Sequence, residues 1–430
     1  MALYQIKQTI VHHFPNLLEK LEQVSDPRKR KSYSMSELLL GCIFMYVFKS
    51  GSRHGFNQDR KTEQFRKNYS RLFDGQRLPH MDTVDEVLRH IEPNDLARLK
   101  RILINTLLEK RVLHKFRLFG KYFSIAIDAT GYASFEHCPY EGCPYRTSKK
   151  GKITYLQPIL EAKLVSSNGF SLSIGTEWVL NGAEYDKQDC ELKAFKRLAE
   201  QLKTDFPKLP ICILADGLYP NKSVFDICKA NKWSFIITLK DTQLKDVQEE
   251  VAVFDQLYRK NRNQEEKIIN SEQLITRSYR WINGVIYQGH SLNWIECVEV
   301  KGNIATGKEE QNRFTHITNL EVSSINCREL SSYGRVRWKI ENEGFNIQKN
   351  GGYQLQHKYS RGNLNAIQNY YQCMQIGHMI NQLLELSKRF KQLKNKFTLQ
   401  HIWKVLIAFM FFGQIDVELL KFKRTQFRYT

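Results

Sequence analysis

The feature that most constrains the fold is a series of short apolar segments, rich in β-branched residues, that begins near residue 121. Residues 122–127, 159–165 and 170–179 are each bounded by polar or turn-forming residues, which is typical of strands. Residues 166–169, Ser-Ser-Asn-Gly, join the second segment to the third. An Asn-Gly pair between two apolar runs predicts a β-hairpin at this point.

Strand and helix patterns then alternate further along the chain. Residues 186–205 and 221–232 have helical spacing and mixed charge, whereas residues 211–215 and 235–239 are short apolar runs typical of buried strands. The order strand, strand, strand, helix, strand, helix, strand predicts an α/β fold, in which helices cover a mixed sheet.

The segments on either side of this pattern predict four regions. Residues 242–332 again contain alternating apolar and polar positions and predict a β-rich insertion, after which residues 333–349 have helical spacing. The predicted regions are a helical N-terminal region over 1–118, a core over 119–241 and 333–362, the insertion over 242–332, and a helical basic C-terminal region over 363–430.

Positive charge is concentrated at both ends of the chain. The protein has 65 Lys and Arg and 45 Asp and Glu, a net charge of +20, of which residues 1–115 carry +8 and residues 351–430 carry +9. Such an excess usually indicates a polyanionic partner, either a nucleic acid or an anionic membrane surface. The alternative is that basic helical ends only increase solubility.

Several other classes of protein are excluded by what the sequence lacks. The longest apolar runs fall short of the roughly 20 residues that span a bilayer, and the N-terminal residues have no apolar signal-peptide core. Nine Cys, an odd number without framework spacing, predict reduced thiols and a cytoplasmic protein. Gly351-Gly352 is not followed by the Lys-Ser/Thr of a phosphate-binding loop, so no ATP dependence is expected.

Two carboxylates follow predicted strands. Asp128 comes after the strand at 122–127 and Asp216 after the strand at 211–215, and each is followed closely by Gly. Neighbouring parallel strands of an α/β sheet bring their carboxyl ends to one edge, where Asp oxygens suit a divalent cation such as Mg²⁺. The alternative for either Asp alone is that it caps the next helix.

A third acidic residue is expected in the helix at 333–349. Regular helical geometry places Arg337, Glu341, Phe345 and Gln348 on one face, with Glu343 about 200° away from Glu341. The alternative is an ordinary amphipathic helix in which Arg337 and Glu341 form an i,i+4 ion pair.

With these residues the chain resembles the DDE transposases of bacterial insertion sequences, and in particular the branch with a Tyr-Arg-Glu-Lys signature and a β-rich insertion before the last acid. The similar segments are residues 127–131, 214–219, 314–320 and 337–346. The resemblance implies an RNase H-like catalytic core. It also implies that Asp128, Asp216 and Glu341 are catalytic and hold two Mg²⁺ or Mn²⁺ ions per active site.

The resemblance also implies which residues contact DNA. Arg337 and Lys349 would contact phosphates at the transposon end, with Tyr333 and Arg335 beside them, although Tyr333 lies four residues before Arg337 and Lys349 eight after Glu341, one more in each case than the signature has. For two further sets of residues there is an alternative that involves no contact with DNA. Lys149 and Lys150 either contact the DNA backbone or lie in a solvated loop, and Trp281 and Trp294 either belong to the core or stack on an unpaired base.

The sequence therefore predicts a transposase that binds insertion-sequence ends, cleaves phosphodiester bonds and joins the 3′ ends to target DNA. Its expected partners are double-stranded DNA and a second copy of the chain in the DNA complex, and its expected location is the bacterial nucleoid. Two alternatives remain open at this point. One is a domesticated nuclease that cuts without integrating, and the other is a DNA-binding relic without catalytic activity.

Overall fold

Ten strands form one mixed sheet in the computed structural model of this chain, which describes residues 2–181, 189–257, 259–270, 273–303, 306–421 and 427–429. The strands are β1 (Phe123–Phe135), β2 (Tyr145–Thr147), β3 (Ile153–Val165), β4 (Ser171–Trp178), β5 (Ile211–Ala215), β6 (Ser234–Thr238), β7 (Arg262–Asn270), β8 (Gln273–Tyr287), β9 (His290–Asn303) and β10 (Glu309–Thr318). They lie in the order β2-β3-β1-β5-β6-β10-β9-β8-β7, and β4 pairs with β3.

Helices precede, interrupt and follow the sheet. No helix of the described residues is both long and apolar enough to cross a membrane. The α-helices are α1 (Ala2–His13), α2 (Leu17–Glu22), α3 (Met35–Val47), α4 (Arg53–Lys61), α5 (Glu63–Leu72), α6 (Met81–Leu88), α7 (Pro93–Glu109), α8 (Glu191–Asp205), α9 (Lys222–Asn231), α10 (Lys245–Leu257), α11 (Cys327–Val336), α12 (Ile347–Asn350), α13 (Leu364–Glu385), α14 (Lys388–Lys394), α15 (Leu399–Phe412) and α16 (Val417–Leu420).

The centre of the sheet confirms the predicted fold class. Strands β1, β5 and β6 run parallel, β3 pairs antiparallel with β1, and the hairpin between β3 and β4 turns at the predicted Asn-Gly pair. A mixed sheet flanked by helices in this way is consistent with the RNase H-like α/β fold. Of the helix predicted over 186–205, residues 186–188 lie outside the described residues.

The β-rich segment extends the same sheet. β10 pairs antiparallel with β6, and β9, β8 and β7 follow outwards from it. This continuity ties the segment to the strands that follow Asp216 in the chain. The segment predicted over 242–332 is therefore part of the same sheet as the core strands, and the sheet continues across both predicted boundaries.

The N-terminal and C-terminal helices pack against each other. Helix α3 is buried along its whole length and begins with a capping box, in which Ser34 and Glu37 each bond the backbone of the other. Helix α13 is also almost wholly buried and packs against α1, α3, α7 and strand β4. The two terminal regions therefore share one hydrophobic core that also covers the sheet.

The helix predicted over 333–349 is irregular. Helix α11 ends at Val336, a π-helix spans Ile340–Asn346, and α12 follows directly. Ile340 and Phe345, five residues apart, are both buried against the protein, which matches the wider i,i+5 repeat of a π-helix. The prediction of one regular helix was wrong here because the pattern was assumed to repeat every 3.6 residues.

Gly334 fixes how closely α11 approaches the sheet. A Cβ atom at this position would meet the ring of His316, which is buried on β10. We expect Gly334→Ala to lower the free energy of unfolding by about 1–3 kcal/mol, because a filled core has no room for the added methyl group. Urea denaturation measures the loss.

Gly302 provides the matched control for this substitution. A Cβ atom there would meet nothing within 4 Å, so Gly302→Ala should leave the stability nearly unchanged. A Gly334→Ala protein as stable as Gly302→Ala would show that α11 does not pack on β10 in this way.

Candidate active site

Asp128 lies where β1 loses one of its two neighbours. Parallel pairing between β1 and β5 stops at Ala126, whereas antiparallel pairing with β3 continues to Phe135. The prediction that Asp128 follows the end of the strand was therefore wrong, because pairing with β3 extends β1 well past it. Asp128 nonetheless lies two residues beyond the last position of β1 that pairs with β5, and so close to the carboxyl end of β5.

Asp216 directly follows β5, as predicted. Its Oδ1 accepts a hydrogen bond from the backbone N–H of Leu218 at 2.8 Å, an Asx-type turn that fixes the start of the loop. In the same loop Tyr219 is buried, and its hydroxyl donates to Glu191 Oε1 at 2.6 Å. The end of β5 thus presents one carboxylate directly and holds a second through a tyrosine.

Glu341 is the third predicted acid, and the structure brings it to Asp128 through an arginine. Arg337 Nη1 donates to Glu341 Oε1 at 2.8 Å and lies 3.6 Å from Asp128 Oδ2. The Arg337 side chain is only 7% exposed, whereas that of Glu341 is 38% exposed. One guanidinium nitrogen therefore lies between two carboxylates from different elements, the sheet and the π-helix.

These carboxylates influence one another electrostatically. Burial, and next the negative charge of Glu341, raise the pKa of Asp128 to about 7, against the opposing effect of Arg337. Glu191 adds to this increase. Burial also raises the pKa of Glu191, the bond from Tyr219 opposes the increase, and the charge of Asp216 adds to it. The charges of Glu341 and Glu191 therefore act on Asp128, and the charge of Asp216 acts on Glu191.

Glu191 was not predicted from the sequence. It is the first residue of α8, and an acidic residue in the first turn of a helix is common because it complements the helix dipole. The sequence offered no stronger signal, since the contact with Tyr219 joins residues 28 positions apart.

Glu343, the other acid of the π-helix, has a different environment. Its Oε1 accepts a bond from Lys339 at 2.5 Å, and its backbone carbonyl accepts one from Gln382 of α13. Two parallel i,i+4 pairs therefore lie on this segment. Of these, the structure places only the Arg337–Glu341 pair against Asp128.

The residues predicted to contact DNA beside the acids lie in varied surroundings. The hydroxyl of Tyr333 donates to the backbone carbonyl of Phe116 at 3.0 Å. Arg335 bonds Glu299 on β9 at 3.0 Å. Lys349 is partly exposed on α12. Tyr333 and Arg335 thus hold α11 in place, and neither points at Asp128.

The two other predicted groups of DNA contacts differ in exposure. Lys149 and Lys150 lie in an exposed turn between β2 and β3, open to a large partner. Trp294 on β9 is 1% exposed and carries the guanidinium of Arg280 over its ring, and Trp281 is also buried. The structure therefore favours the core alternative for both tryptophans.

The carboxylates of this site suit a divalent cation, although three of them do not converge on one point. Across the described ranges, no three or more His, Cys, Asp and Glu side chains form a group that could hold a metal ion. Mg²⁺, however, is usually held by one or two carboxylates, with waters and phosphate oxygens completing the shell. Asp128 and Glu341 are such a pair, and they already hold a positive charge between them.

Comparison of the sequence with known protein families gives one match. Residues 185–371 match a family model described as a transposase DDE domain. The matched segment contains Glu191, Asp216, Arg337 and Glu341 and begins after Asp128. A search of curated proteins found no match to the chain.

The raised pKa of Asp128 predicts a pH-dependent stability. The folded protein holds the Asp128 proton more tightly than the unfolded chain, whose Asp has a pKa of about 3.9, so this group lowers stability as pH rises from about 4 to about 7. We therefore expect Asp128→Asn to gain at least about 1 kcal/mol relative to wild type between pH 5 and pH 8, in chelator.

Urea unfolding at the two pH values measures this difference. The control is Glu63→Gln, because Lys67 lowers the pKa of Glu63 and its titration falls below the pH range used. Wild type and Asp128→Asn with parallel stability profiles would show that Asp128 is an ordinary solvated carboxylate.

Proposed function

We propose that this chain, a DDE-type transposase by the match over residues 185–371, binds the ends of a mobile DNA element, cleaves phosphodiester bonds there and joins the 3′ ends to target DNA. The observation that carries the proposal is the meeting of Asp128 and Glu341 around Arg337 at the end of β5. A partly buried carboxylate pair beside the carboxyl end of a strand is suited to hold a divalent cation next to a phosphate.

The acids have distinct roles in this proposal. Asp128 and Glu341 would hold Mg²⁺ or Mn²⁺, and Asp216, which directly follows β5 and whose charge acts on Glu191, would complete a second position. When bound, two divalent metals neutralise the charge on the attacking and leaving oxygens of a phosphodiester displacement. Lys349 is partly exposed on the same segment and would contact phosphates of the transposon end.

A basic groove supports the proposed binding of DNA by the N-terminal helices. It lies where α4 and α6 meet the loop after α12 and is lined by Arg53, Lys61, Arg89, Lys358 and Arg361, against Asp82 and Asp85. Asp85 holds Arg53 at 2.6 Å and Arg89 at 2.9 Å, which keeps these two arginines ordered. Lys61 and Arg361 are exposed.

The basic linker at 28–31 reaches the same helix from the other side. Arg28, Lys29 and Arg30 line a second depression against α6, and Asp82 borders both depressions. Phosphates of duplex DNA attract such clustered Lys and Arg regardless of base sequence. We infer that this surface holds the end DNA in a complex of two protomers on the bacterial nucleoid.

Substitution of the acids tests the proposed chemistry. Asp128→Asn and Glu341→Gln should each lower cleavage of end DNA in Mg²⁺ by more than about 100-fold, because each removes an anionic oxygen that would hold the cation. Glu343→Gln is the matched control on the same π-helix and should retain most of the activity, since Glu343 pairs with Lys339. Gel assays of nicked and joined products measure both steps.

Folding and product type decide how the result is interpreted. Each variant must first show the wild-type melting temperature and end binding. Cleavage without joined product would favour a nuclease, and binding without cleavage would favour a relic. A folded Glu343→Gln that is inactive beside an active Glu341→Gln would overturn the assignment of the third acid.

The basic groove makes a separate prediction about salt. Each phosphate contact adds about 0.9 to the slope of log affinity against log salt for duplex DNA. Lys61→Gln with Arg361→Gln should therefore reduce the slope by about 2 as well as weaken binding. The charge-matched control is Lys208→Gln with Lys229→Gln, both exposed and outside the groove. Equal slopes for the two double variants would exclude the groove as the binding surface.

A further inference from the structure

Arg337 lies in the place that a cation shared by Asp128 and Glu341 would take. Its Nη1 is 2.8 Å from Glu341 and 3.6 Å from Asp128, and the side chain is almost wholly buried. Arginine keeps its charge at every physiological pH, so this nitrogen always brings positive charge to the pair. Arg337 therefore already supplies one positive charge where a divalent cation would supply two.

We propose that Arg337 is the internal counter-ion of the carboxylate pair: it bridges Asp128 and Glu341 when no divalent cation is bound, and it yields that place when one binds. The proposal rests on the proposed function for the nature of the cation. It makes Arg337 a positioning residue, which keeps the two carboxylates together and at the same time competes with the metal for them.

The physical reason is the balance of charge in a partly buried site. Two carboxylates held close together repel each other, and an uncompensated buried charge is strongly destabilising. A guanidinium between them offsets part of both costs. The same guanidinium would lie next to a divalent cation as a like charge, so both cannot occupy the place between the carboxylates at once.

The local backbone allows the side chain to leave without disruption of a helix. Arg337 follows the last residue of α11 and precedes the π-helix, in a two-residue turn with Trp338. The guanidinium also lies over the Trp338 ring, with its carbon 4.6 Å from the ring centroid, and the indole is about half exposed. This cation–π contact is already made in the bridging position, so it does not depend on the bonds to the carboxylates.

The neighbouring ion pair provides a matched control. Lys339 and Glu343 have the same i,i+4 spacing, on the same segment, and bond at 2.5 Å. This pair has no contact with Asp128 among those the structure gives. A general effect of lost helix pairing would act equally on both pairs, whereas competition for the metal would act only on Arg337.

Calorimetric titration with Mn²⁺, in the absence of DNA, tests the proposal on the full-length protein. Arg337→Gln should bind Mn²⁺ about tenfold or more tightly than wild type, because the competing charge is gone. Lys339→Gln should bind as wild type does. In chelator, Arg337→Gln should melt at a lower temperature than wild type, and Mn²⁺ should raise its melting temperature by more than it raises that of wild type.

The remaining outcomes separate this inference from the proposed function. Arg337→Gln that binds Mn²⁺ as weakly as wild type, or more weakly, overturns the counter-ion role if wild-type binding is lost in Asp128→Asn. Mn²⁺ binding that Asp128→Asn leaves intact overturns the metal site itself. Should Arg337→Gln fail to fold, Arg337→Met keeps a long side chain without the charge, and its Mn²⁺ affinity should exceed that of wild type. An affinity equal to wild type would count against the proposal.

Discussion

Negative charge buried beside the sheet constrains the arrangement of everything around it. Asp128 lies inside β1, in a position fixed by pairing with β3, and the π-helix covers it. A carboxylate in this environment requires a nearby positive charge, and Arg337 supplies one while also bonding Glu341. Because β5 ends early and the π-helix approaches β1, the carboxylates of Asp128 and Glu341 can share the guanidinium of Arg337.

Helix α13 holds the π-helix against the sheet. Gln382 of α13 donates to the backbone carbonyl of Glu343 and to that of Ser171 on β4, and so joins the π-helix to the sheet. The ammonium of Lys163, buried on β3, lies over the ring of Phe345 at 4.9 Å. Gly344 permits this close approach, since a Cβ atom there would press on Lys163 and Ser171. The C-terminal region thus positions the helix that carries Glu341.

Local patterns in the sequence were sufficient for much of the fold and for part of the site. The hairpin after β3 and Asp216 at the end of β5 depend on neighbouring residues, and both were predicted. The full length of β1 depends on its pairing with β3, which a short apolar run does not reveal. The π-helix departs from the 3.6-residue repeat that helical patterns assume. The approach of Glu191 to the acids depends on a bond from Tyr219 that only the folded chain makes.

The most direct test of the account is a crystal structure of the chain with end DNA and Mn²⁺, with the anomalous scattering of manganese used to locate the ion. The account predicts a manganese peak between the carboxylates of Asp128 and Glu341, with the Arg337 guanidinium moved away from both. A manganese peak remote from these two residues would contradict this prediction. A peak at the two carboxylates with Arg337 still bridging them would contradict it as well.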